Sequence, residues 1–297
     1  MVVLALIVAA LSLPAEPDPD RPEPTAEPTP PGTTVTTPEP DLWKQGACQE
    51  FSTERDKGAY QAARNSGSAR KLRGRVVVLH LRLDAPGVAW SKPTELKVEQ
   101  AALGAQRFWL EQAGRFHVSD LSVDMVPWTL RATAHLPPVV PDRSQKLDNE
   151  TQQRVRTETR KAAEAALGET LESVVKRYRK DGYDEVGFVV YYPLATTARP
   201  FAWFAVRGDG AIFPDVGYVF AEKPDLATLS VTVAHEGLHL FGADDLYRVR
   251  PPDAADRRDL MNDFCKGYRE TTLGETTAYA IGWLAAPPKR SYGFADR

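Results

Sequence analysis

The residues best suited to chemistry in this 297-residue chain stand together as HEGLHLFGADD, residues 235–245. His235 and His239 are four apart, which puts two imidazoles on one face of a helix. From that face both reach a single Zn²⁺ at about 2.0–2.1 Å. Glu236 follows the first imidazole and points beside the ion, where it can take a proton from a zinc-bound water. Gly242 permits the left-handed turn that stops a helix. Asp245 comes just past that break, where the chain folds back and offers a third ligand. Two nitrogens, one oxygen, a base and a fourth position left for water make up a catalytic zinc site.

The surroundings agree. Histidine is scarce, with five in the whole chain. Residues 225–233 (DLATLSVTV) form an apolar approach that places the motif on a buried helix. Two imidazoles and a carboxylate in such a core are costly without a metal to satisfy them. The remaining histidines carry less. His80 falls within a strand pattern and reads as packing, and His135 sits in a proline-rich loop and reads as exposed.

HExxHxxGxxD followed by a methionine in a short turn resembles the metzincin clan of zinc endopeptidases, and the aspartate in third position resembles its snapalysin-type variant. The resemblance covers about the last 70 residues well and the earlier part only in element order. It implies a mixed α/β (α+β) zincin domain: a twisted sheet with helices packed on it, an active-site helix, and a C-terminal lobe with a Met-turn and a closing helix. The Met-turn would be residues 259–262 (DLMN), with Met261 as an apolar floor beneath the ion, and residues 273–284 (LGETTAYAIGWL) the closing helix. Several metzincins carry a tyrosine two residues beyond that methionine. Asp263 stands there in this chain, which leaves Tyr247, Tyr268 and Tyr279 as candidates for the role. In gluzincin-like proteases a glutamate on a downstream helix completes the site, so Glu275 and Glu270 compete with Asp245 for the third position. Asp244, one residue off, competes as well.

The activity implied is hydrolysis of peptide bonds in a peptide or protein substrate, with one catalytic Zn²⁺. His235, His239 and Asp245 hold the ion, and Glu236 accepts a proton from the zinc-bound water and returns it to the leaving amine. A catalytically inactive zinc-binding module at the cell surface is the reading from a different class. A closed fourth position would mark it.

At 42% hydrophobic and 26% charged residues, the chain can bury one substantial core. The formal net charge of −3, with no basic stripe, argues against a nucleic-acid partner. A monomer is expected. Residues 2–13 (VVLALIVAALSL) form an apolar run of signal-peptide length, short for a membrane span, so residues 1–15 read as a signal peptide or short anchor. The Pro-, Thr- and acid-rich residues 16–41 follow as an extended, solvated spacer. Together they point to an exported protein, secreted or held at the cell envelope. Cys48 and Cys265, the only cysteines, are far apart and read as one disulfide in that compartment. The sharper alternative makes Cys48 a latency ligand to the zinc.

Residues 42–297 then form the catalytic domain, with 42–73 as a polar lead-in arm or pro-segment. Alternation predicts strands at 75–83 and 121–130, the latter at an edge or bulge because of Pro127. Helical spacing through Leu96, Leu103, Phe108 and Leu110 predicts a helix over 93–116. A long charged helix is expected over 151–180, with the charge run 154–161 on its solvated face. The continuous apolar run 185–192 reads as a central strand buried on both faces. Residues 201–206 and 217–220 add further strands. The first of these is either core, through Trp203 and Phe204, or, as the resemblance to metzincins implies, an edge strand before the metal helix that pairs with substrate backbone.

Overall fold

The computed structural model describes residues 60–62, 64, 67–84, 90–133, 149–192, 201–205, 216–220, 226–246, 258–262, 271–289 and 294–296. The N-terminal apolar run, the spacer, both cysteines, His135, Tyr247, Asp263, Tyr268 and Glu270 lie outside these residues. In chain order the elements are β1 (Tyr60–Ala62), β2 (Arg75–Asp84), α1 (Lys92–Arg115), β3 (Ser122–Thr133), α2 (Asn149–Leu167), α3 (Leu171–Lys180), β4 (Glu185–Tyr192), β5 (Phe201–Ala205), β6 (Val216–Phe220), α4 (Leu226–Leu240), α5 (Glu275–Ala280) and β7 (Phe294–Asp296). This is a mixed α/β fold. No helix among the described residues is long and apolar enough to cross a membrane.

The main sheet has the order β3-β2-β4-β6-β5, parallel except for β5, which runs antiparallel to β6 at one edge. β3 forms the other edge. Its register against β2 slips between Val126 and Leu130, a stretch that opens on Pro127, whose backbone has no N–H for the ladder. Strand side chains alternate between faces. Val76 and Val78 of β2 and Val189 and Tyr191 of β4 join the core cluster shared with α1 and α4. The intervening Val77, Leu79, Phe188 and Val190 are equally buried and point to the opposite face. Both central strands are therefore covered on two sides, as the apolar run in β4 predicts.

α1 starts at Ser91, whose hydroxyl accepts from the Thr94 amide, with Pro93 in the first turn. Its buried face differs from the expected one. Leu96, Leu103 and Leu110 are the exposed large hydrophobics among the described residues, and only Phe108 of the four predicted positions is buried. The face turned inward is Val98, Ala101, Ala102, Gly104, Ala105, Phe108, Trp109 and Ala113. Closeness to α4 is the reason. A Cβ on Gly104 would lie 2.7 Å from the Ser230 hydroxyl oxygen, and one on Gly237 would lie 2.3 Å from the Trp109 ring. A crossing that tight selects small residues and leaves leucines no room. Trp109 also donates its indole N–H to the Ala234 carbonyl at 3.3 Å.

Two further expectations are corrected, and one observation is added. The charged segment 151–180 is two helices, because Gly168 takes a φ of 69° and Thr170 then caps α3 by accepting from the Ser173 amide. The closing helix is shorter than 273–284: α5 ends at Ala280, before Gly282 at a φ of 86°. The end of the polar lead-in arm belongs to the core. Ala69 and Leu72 are fully buried, the Leu72 amide donates to the Ile281 carbonyl at 2.9 Å, and β1 pairs in parallel with β7.

His80 packs inside β2, as read from the sequence. Its Nδ1 lies 2.8 Å from the Tyr191 hydroxyl and its ring stacks on that tyrosine. Burial pushes its pKa down from 6.5 to about 3. The unfolded chain therefore takes up a proton below pH 6.5 that the folded protein refuses. Stability present above that pH is lost as pH falls towards 3, by up to about 1.4 kcal/mol per unit. Unfolding titrations of His80→Gln against wild type are expected to lack this component. Gly237→Ala is expected to lose about 1–3 kcal/mol in denaturant unfolding despite the better helix propensity of alanine. Gly104→Ala should lose less, since a serine hydroxyl yields more easily than an indole.

Candidate metal centre

α4 delivers the motif in its last two turns and is buried from Leu229 to Ala243. A helix apolar on every side needs neighbours on every side. α1, the sheet and residues 258–262 and 271–274 supply them. The helix ends as the glycine predicts. Gly242 has a φ of 124°, and the Ala243 amide donates back to the Leu238 carbonyl at 3.2 Å.

That reversal performs two tasks. It turns the Ala243 carbonyl onto the His239 ring, 2.9 Å from Nδ1. It also returns Asp245 to the end of the helix. His235 is fixed in the same way, with Nδ1 3.1 Å from the Leu260 carbonyl. A carbonyl can only accept, so each Nδ1 carries the hydrogen and each Nε2 is turned towards the other groups. The two rings stand edge to face, with centroids 5.0 Å apart.

The ligand atoms of His235, Glu236 and His239 lie within 4.8 Å of one another, all in buried side chains. Asp245 is nearer still. One carboxylate oxygen, Oδ1, is 3.2 Å from His235 Nε2 and 3.3 Å from His239 Nε2, whereas the Glu236 carboxylate is 4.0 Å from His235 Nε2. Two ligands held at 2.0–2.1 Å and separated by the tetrahedral angle would be about 3.3–3.4 Å apart. The spacing of Asp245 from both imidazoles thus suits a small tetrahedral cation, and Glu236 stands just outside that set.

The electrostatics point the same way. Burial favours the neutral form of His235, yet its hydrogen bond with Asp245 and the charges of Glu236 and Asp245 raise its pKa to about 9. Burial also opposes ionisation of Asp245, but the two imidazoles outweigh it and hold the carboxyl well below its usual range. A proton is thus drawn to the place between nitrogen and carboxylate, and a divalent cation would occupy the same field with more charge.

The segment 258–262 closes the site. Asp259 bridges to Thr272, and the Met261 carbonyl accepts from the Leu246 amide at 2.9 Å, directly after Asp245. Met261 is fully buried in the core cluster. The competing residues are placed differently. Asp244 is half-buried and Glu275 is exposed in the first turn of α5. Tyr279 is buried with the Arg64 guanidinium 3.9 Å over its ring. Sequence reasoning singled out 259–262 as a turn but missed what Leu260, Ala243 and Asp259 do in it and behind the rings. The first two act through main-chain carbonyls, which leave no mark on residue type. The third had a signal: an aspartate two residues before the methionine can bond that residue's amide in an Asx-turn.

These features define a mixed α/β protein with a buried histidine–glutamate–histidine cluster able to hold a metal. No family model matches the chain, and no curated protein matches it. Among solved structures it is similar to wild-type OgpA from Akkermansia muciniphila in two crystal forms. The TM-scores are 0.36 and 0.35, the identities 11% and 12%, and each match covers 74% of this chain. The chain spans 62% of the length of those structures.

Asp245→Asn keeps the shape and removes the charge. Its affinity for zinc, measured by competition with a chromophoric chelator, is expected to fall by about an order of magnitude or more. Asp244→Asn and Glu275→Gln should stay near wild type. The reverse ranking would move the third ligand to a downstream glutamate.

Proposed function

We propose that the chain is a zinc-dependent endopeptidase of metzincin-like build, with His235, His239 and Asp245 as metal ligands and Glu236 as general base. The observation that carries this reading is the placement of Asp245 Oδ1 at 3.2 and 3.3 Å from two imidazole nitrogens whose tautomers are fixed from behind. Two imidazoles and one carboxylate are a donor set that suits zinc and leaves one position for catalysis. Zinc held there supplies a Lewis acid that polarises a carbonyl and eases deprotonation of water.

The protein's own groups do the rest. Glu236, on the same helix turn but beyond the ligand spacing, accepts the proton of the attacking water and hands it to the leaving amine nitrogen. Burial of all four side chains strengthens each charge interaction by keeping solvent out. β5, an edge strand among those described, offers an unpaired side to an extended peptide, which would bind by strand addition. Met261 would form the apolar floor of the site. The N-terminal apolar run and spacer fit an exported enzyme, secreted or tethered at the envelope, and Cys48–Cys265 fits a disulfide there.

Glu236→Ala is expected to keep its zinc while kcat on a general protein substrate drops by about 10²–10⁴-fold. A small hydroxamate should raise the melting temperature of the zinc-loaded wild type, because it needs an accessible position on the metal. Wild-type rates in Glu236→Ala would remove that residue as base. A zinc-loaded wild type that cleaves nothing and gains no protection from hydroxamate would make the metal structural.

A further inference from the structure

We infer that Asp259 is a positioning residue of the metal centre, one that holds two of the three ligands in register without touching the metal; this rests on the zinc reading above. Asp259 is fully buried. One carboxylate oxygen accepts from the Met261 amide at 2.8 Å and the other from the Gly274 amide at 2.6 Å. Its carbonyl accepts from the Asn262 amide at 2.9 Å, closing the turn. On one side of that turn the Leu260 carbonyl meets His235 Nδ1, and on the other the Met261 carbonyl meets the amide that follows Asp245. One side chain thus fixes the two peptide groups that steer His235 and Asp245.

A carboxylate is the residue type this requires. The two amides come from different segments, and only an acceptor with two free oxygens serves both. Charge makes such bonds shorter and stronger than neutral ones. An asparagine would turn an NH₂ group onto one of the two donors and loosen either the turn or its tie to the start of α5. Groups behind the metal ligands that set their orientation commonly govern affinity by 10–100-fold.

The nearby Gln112 separates positioning from mere support. Its side-chain oxygen accepts from the Leu273 amide at 3.0 Å, one residue before Gly274, yet it makes no bond to the turn 259–262. Zinc affinity of the full chain, measured by chelator competition, is expected to fall about 10–100-fold in Asp259→Asn. In Gln112→Met it should stay within about twofold even where the melting temperature drops as far. Cobalt substitution should shift the visible absorption of Asp259→Asn and leave that of Gln112→Met unchanged. Unaltered affinity and spectrum in Asp259→Asn overturn the inference and leave the zinc site standing. A wild type that takes up no zinc overturns both.

Should Asp259→Asn fail to fold, wild-type hydrogen exchange decides the matter. Coupling is reciprocal, so zinc must stabilise the turn that steers its ligands. The Met261 and Gly274 amides should slow on zinc binding by about tenfold more than the Ser122 amide, which bonds the Gly74 carbonyl. Equal slowing at all three overturns the inference.

Discussion

Everything at the centre of this molecule follows from how two imidazole rings are held from behind. Each Nδ1 meets a main-chain carbonyl, Leu260 for His235 and Ala243 for His239. A ring fixed at one nitrogen has a fixed tautomer and little freedom to turn, so the other nitrogen is aimed before anything binds. The two carbonyls come from different places. One belongs to the reversal that ends α4, the other to a turn beyond it. The site therefore exists only where the C-terminal segment is packed onto the helix, and residues that never approach the ligands share control of their direction.

Packing supplies the second constraint. α4 has no face left for solvent over its motif, although it carries two histidines and a glutamate there. Its approach to α1 is close enough to require glycine in both helices. Within the motif, Gly237 leaves room for the Trp109 indole, which bonds the carbonyl just ahead of His235. The rigid ring acts as a stop against which the turn of the helix carrying the two histidines is set. The same contacts leave the side chains of the motif little solvent, and a carboxylate so placed is costly without a cation or a donor to meet it.

Much of this was legible in the residues. The order of strands and helices, the doubly covered β4, the edge at Pro127 and the helix stop at Gly242 follow from alternation, apolar runs and backbone preference, which act over a few residues. The convergence of His235, Glu236, His239 and Asp245 could be read from spacing because one helix and one turn carry all four. The buried face of α1 was hidden, since hydrophobicity ranks Leu96, Leu103 and Leu110 above alanine and glycine while a tight crossing reverses that order. The break at Gly168 lay within a segment whose charge pattern continues on both sides. The core role of Ala69 and Leu72 depends on residues near 281, far along the chain, and no local pattern encodes such a meeting.

The pairing of β1 with β7 bears on the order in which the molecule can be completed. Tyr60 aligns with Phe294 and Ala62 with Asp296, so the first described strand waits for the last. Such a contact closes a very long loop, and its entropic cost is met only after the intervening sheet has formed. A chain emerging from a ribosome or a translocon could assemble the parallel strands and α1 early. It would still lack the turn that steers His235 and the strand that ties the end of the domain to its beginning. Competence to bind metal would then arrive only once residues beyond 258 had been made and packed, as a property of the folded unit and not of its earlier portion.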